Sequence, residues 1–162
     1  MNDATHLDSI RSLHGLIARS SDNASWGADP DRMSDWQRAA ITRLHTLTMT
    51  DKILYLSSAK VGETEWDFVA FTARRVVRVL VWNAGSAAVR FEAVTFGRSS
   101  LESLELLDVD GIATGPTWPS EVNLIGHYRA GSVPLPLDRF ASRSNKLDLV
   151  RLLSSLQKDL MR

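Results

Sequence analysis

The chain has 162 residues, 44% of them hydrophobic, with 19 Lys and Arg against 19 Asp and Glu and no cysteine. That is enough apolar material for one domain with a sizeable core, and it argues against wholesale disorder. The even charge balance speaks against bulk attraction to nucleic acid or an acidic membrane, and the missing thiols exclude disulfides, thiolate zinc sites and cysteine nucleophiles.

Residues 1–50 read as an N-terminal helical arm of two helices. Leu7, Ile10, His14 and Ile17 recur at helical spacing, and Leu13 and Leu16 widen that face. The stretch SSDNASWGADP, Ser20 to Pro30, is a break rich in Ser, Asn, Asp and Gly. Asp29 before Pro30 marks a helix start, with a side-chain oxygen for free amides and a proline preset for the first turn. Met33, Trp36, Ala40, Leu44 and Leu47 then fall on one stripe. The opening MNDATHLDSI lacks the basic start and apolar run of a signal peptide. No stretch reaches the roughly 18–20 apolar residues that span a bilayer, so a cytoplasmic chain is expected.

Residues 51–162 change period. ILYLSSA, WDFVAFT, RVVRVLVW, AVRFEAVTF, SLESLELLD, EVNLIGHYR and SVPLPLD read as successive short strands, with NAGSA as a turn and VDGIATGPTWPS as a Gly/Pro-rich loop. Pro134 and Pro136 alternate, which suits a sheet edge. From Ser142 onward Leu149, Leu152, Leu153, Leu156 and Leu160 make the stripe of a closing amphipathic helix.

Seven strands and one terminal helix, with KILYLSSAKVG, FVAFTARRVVRV and RSSLESLELLD as the telling segments, resemble the bacterial branch of the pleckstrin-homology (PH) superfold and its GRAM-type relatives. Phe71, Thr72 and Arg75 match the F/L-T-x-x-R hairpin of such domains. The resemblance covers roughly Leu54 to Leu160 and implies an α+β fold: a PH-like seven-stranded antiparallel barrel capped by a C-terminal helix. The N-terminal helices lie outside it. The best-known role of the wider family is phosphoinositide binding through bases on the first hairpin. Here that unit offers only Lys60 before the acidic loop VGETEWD, which disfavours that role.

Candidate binding residues form three groups. Arg74 and Arg75 sit where two strands turn, either as an anion clamp or as hairpin residues facing solvent or an acid. Arg139, Arg143 and Lys146 gather late in the chain, where a solvated face is the simpler reading. Trp26 and Trp118 lie in loops and are candidate contact anchors, while Trp66 and Trp82 end adjacent strands and could stack across them. Enzyme motifs fail. The four histidines lack ligand spacing, and Ser57-x-x-Lys60 lies on a strand that turns the two side chains apart. A lone His127 reads as a half-buried strand residue, and DVDG lacks the later ligands of a calcium loop. The reading is a non-catalytic binding or scaffold module acting through a protein partner or self-association, with no cofactor, metal, nucleic acid or transmembrane segment. An anion- or lipid-headgroup-binding domain is one alternative. A small-ligand binder or enzyme with a pocket between the N-terminal helices and the sheet is another.

Overall fold

The computed structural model describes residues 3–20, 26–27, 29–48, 51–110 and 121–161. In chain order these form α1 (Asp3–Ser20), α2 (Asp35–Thr48), β1 (Tyr55–Lys60), β2 (Trp66–Phe71), β3 (Arg75–Trp82), β4 (Arg90–Gly97), β5 (Leu101–Asp110), β6 (Glu121–Tyr128), β7 (Gly131–Leu135) and α3 (Arg143–Leu160).

The second helix starts later than the Asp29–Pro30 signal implies. Asp29 does cap a turn, its carboxylate accepting from the Asp31 amide at 2.9 Å, but that turn is a short 3-10 helix, Pro30–Arg32. The α-helix begins after Ser34, whose backbone amide donates to Gln37 Oε1 at 2.8 Å. This Ser-x-x-Gln pairing is half of a capping box, and it satisfies an amide that the first turn leaves free.

All strand pairs are antiparallel, and they form two sheets rather than one closed barrel: β1-β2-β3-β4 and β5-β6-β7. Register splits the first sheet into two faces. Trp66, Phe68 and Ala70 of β2 share a face with Val77, Val79 and Val81 of β3. Against that face pack Leu13 and Ile17 of α1 and Ala40, Ile41 and Leu44 of α2. The arm therefore covers its own sheet. On the opposite face Tyr55, Val69, Phe71 and Val76 join Val122, Leu124, Val133 and Leu135 of the second sheet, and Leu149, Leu152 and Leu156 of α3 close this second core. Every residue of β2 is buried, because each face of that strand meets a different layer.

Trp66 and Trp82 do not stack. Trp66 lies opposite Val81, so the period of two turns Trp82 to the other face. Trp66 instead lies parallel to Phe68, with ring centroids 5.9 Å apart and planes at 9°.

Arg98, in the turn between β4 and β5, ties the layers together. Its side chain is buried, and Nε and Nη2 both donate to Asp159 Oδ2, at 2.9 and 2.6 Å. Nη2 also reaches Ser155 Oγ at 2.8 Å, and Nη1 donates to the Thr72 carbonyl at 3.0 Å. One guanidinium thus joins the last turns of α3 to the β2–β3 hairpin.

Candidate interaction surfaces

The β2–β3 hairpin is organised by Thr72. Its hydroxyl accepts from the amides of Arg74 and Arg75 at 3.3 and 3.1 Å, and its own amide donates to the Arg75 carbonyl at 3.0 Å. Local hydroxyl-to-backbone bonds of this kind fix tight turns. The two arginines then part company. Arg75 is half-buried, with Nε 3.4 Å from Asp51 Oδ2 and Nη1 3.5 Å from the Leu47 carbonyl near the end of α2. A cation there suits the partial negative charge of a helix C-terminus. Arg74 is exposed and gives its carbonyl to the Arg98 amide at 2.9 Å. The pair is not a two-fork clamp, since one fork already holds the protein together.

The late basic group is also dispersed. Lys146 Nζ bonds Glu121 Oε1 at 2.5 Å, joining α3 to the start of β6. Arg143 is exposed at the first position of α3, behind the Ser142 cap that accepts from the Asn145 amide at 3.3 Å. Arg139 lies over the ring of Phe140, 4.6 Å from its centroid, and Phe140 is 60% exposed. These two residues make a cationic aromatic tip on the β7–α3 loop.

Trp26 does not present a contact surface. It is 3% exposed and meets Trp36, Trp66 and Phe68 edge-on, with centroids 5.6–5.8 Å apart. Its carbonyl accepts from His14 Nε2 at 3.2 Å, which explains a histidine in the apolar stripe of α1. The loop residue folds back because the large apolar face of β2 and β3 needs a cover between the two helices. Trp118 lies outside the described residues.

His127 is half-buried on the outer face of the second sheet. Its Nε2 lies 3.1 Å from Glu105 Oε2 and its Nδ1 2.8 Å from Ser132 Oγ. A serine, an imidazole and a carboxylate in a row form a general-base arrangement, but this one sits on an open sheet face, away from the recess described next. Catalysis requires convergent groups that hold a reacting atom and exclude water. The recess at the junction of α1, β1 and α3 is lined by Leu16, Arg19, Tyr55, Asn145 and Asp148 and has room for a water or two. Two of its polar groups are engaged: the Tyr55 hydroxyl donates to Asn145 Oδ1 at 3.2 Å, and Asn145 Nδ2 donates to the Leu56 carbonyl at 2.6 Å. Burial pushes the Tyr55 phenol well above its ordinary value. Among the described residues, no three His, Asp or Glu side chains gather closely enough to hold a metal ion, and no helix is long and apolar enough to cross a membrane.

The surface that sequence reasoning missed is the open side between the sheets. The β1 and β7 ends are tied: Asn145 caps the Leu56 carbonyl, and Ser57 Oγ accepts from the Leu137 amide at 2.8 Å. The other end strands, β4 and β5, do not pair with each other. By register, Val94 of β4 faces the second sheet, and Leu106 and Val109 of β5 face the first. Yet Val94 is 42%, Leu106 51% and Val109 39% exposed, and Leu107, at a register shift, is 56% exposed. In the sequence Val94 and Leu106 are ordinary inward positions of amphipathic strands, Val109 turns inward only through the register shift at Leu107, and periodicity carries no signal that the partner layer ends short of them. No family model matches the chain, and no curated protein or solved structure matches it.

Proposed function

We propose that this chain is a cytoplasmic, non-catalytic PH-like binding module that works through protein contacts. A four-stranded sheet followed by a three-stranded one and a helix packed across both supports the PH-like reading. The observation that carries the interaction reading is the unclosed side at β4 and β5, where Val94, Leu106, Leu107 and Val109 are exposed beside two strand edges that no described strand pairs with. Edges of this kind are normally covered or blunted, because they invite pairing. The test is photocrosslinking in cells, with a photoreactive residue placed at position 94 or 106 and, as a control, at exposed Glu63. The reading expects a discrete adduct from the first two positions. Adducts absent there, or equally abundant from the control, refute it.

A second reading, contact with an anionic lipid headgroup, draws on the Arg139–Phe140 tip with Arg143 beside it. Sedimentation with anionic vesicles at low and high salt decides it: salt-sensitive binding that Phe140→Ser removes supports this reading, and no binding eliminates it.

A further inference from the structure

On the β5 side the exposed apolar residues sit among acids, while on the β4 side Val94 lies opposite Arg78 of β3, which is paired with Asp67. β5, LESLELLDVD, carries four acids and no base. Glu105 is spanned by His127, and Glu102 lies 3.7 Å from Arg129. Asp108, on β5 just past Leu107, is exposed and has no partner among the described residues, while Glu92, on β4 two residues from Val94, is exposed and feels the charge of Arg78 on the neighbouring strand. On β4 only Arg90, at its far end, offers a base. The chain as a whole is neutral, so this acidity is a property of the edge and not of the composition.

From this we infer that the β5 edge accepts an extended segment of another protein whose side chains alternate between basic and apolar. The inference rests on the protein-contact reading above and gives it a partner chemistry. A strand added to β5 places successive side chains on opposite faces. Its apolar set enters the space between Val94, Leu106 and Val109, and its basic set meets Glu105 and Asp108 on the outer side. A second copy of this chain is a poor occupant. Two β5 strands side by side would set Glu102, Glu105 and Asp108 against the same acids, and like charges opposite one another destabilise a strand pair.

The test uses the full chain, isotopically labelled, titrated with a short peptide alternating Lys and Val and with its counterpart carrying Glu for Lys. The expected result is amide shifts centred on β5 for the lysine peptide alone. Binding should weaken roughly 3- to 10-fold in Asp108→Lys and on raising salt from about 0.05 to about 0.5 M. Leu106→Lys should abolish it. Both substitutions are at exposed positions and leave the cores intact. Equal binding of the two peptides, or shifts away from β5, overturns the inference. So does slow hydrogen exchange along the outer edge of β5 in the free monomer, which means the chain covers itself. A dimer that Leu106→Lys dissociates overturns it in favour of self-association. Crosslinks from position 106 that persist without lysine-peptide binding would leave the protein-contact reading standing and remove only this partner chemistry.

Discussion

Arg98→Ala is the most informative single substitution. The side chain is 3% exposed and its acid, Asp159, is 9% exposed, so removing the guanidinium leaves a buried carboxylate without its cation. It also leaves the Thr72 carbonyl without that donor. Breaking a buried pair from one side costs about 3–5 kcal/mol. In a chain of this size each kcal/mol moves the midpoint by about 2–4 °C, so the drop in Tm is roughly 6–20 °C. Against a total stability of about 5–15 kcal/mol, the variant is marginal. The companion is Arg98→Met with Asp159→Leu, which removes both charges and keeps most of the volume. The remaining loss is then about 1–3 kcal/mol for the orphaned carbonyl. Calorimetry on the three proteins checks both values. A drop below about 2 °C for Arg98→Ala, or a double variant as unstable as the single, would refute the claim that an uncompensated buried charge is what hurts.

Alkaline titration makes a second prediction. Burial holds the phenols of both tyrosines, Tyr55 and Tyr128, above their ordinary value in the folded chain. Once unfolded they ionise near pH 10, so above that pH the unfolded state binds fewer protons and stability falls as pH rises. Phenolate absorbance and loss of circular dichroism should therefore appear together; absorbance rising over an intact spectrum contradicts this. Trp26→Ala should cost about 3–5 kcal/mol in chemical denaturation, since it empties the centre of the aromatic cluster. A cost within 0.5 kcal/mol, about the size of a surface substitution, would show that the loop is not part of the core. Gln37→Ala should cost about 0.5–2 kcal/mol by uncapping α2, with Gln37→Glu recovering most of it.

The strands, the closing helix and the hairpin at Arg74 and Arg75 were legible because each is a local pattern. Alternation places Val77, Val79 and Val81 on one face whatever covers them. Partners at long range were not legible. Nothing near Arg98 in the sequence points to Asp159, which sits 61 residues away and reads there as one more polar position on a leucine helix. Trp26 misled for a related reason: its neighbours are loop formers, and loop composition is blind to a side chain folding back under two helices. The start of α2 was misplaced because the Asp29–Pro30 signal belongs to a separate short turn, while the half capping box of Ser34 and Gln37 satisfies the amide just ahead of the α-helix. The exposed Leu106 is the converse case, an inward position whose opposite layer stops short.

The burial of β2 on both faces bears on how the chain comes apart. The change of period near residue 50 looks like a domain boundary, but β2 is a party wall: Phe68 belongs to the room built by the N-terminal helices, and its neighbours Val69 and Phe71 belong to the room closed by α3. Stripping either cover wets one side of the same six residues. The two halves therefore stand or fall as one cooperative unit, with the β2 amides the last to exchange with solvent. Fragments split near residue 50 should be unfolded apart and regain structure only when mixed.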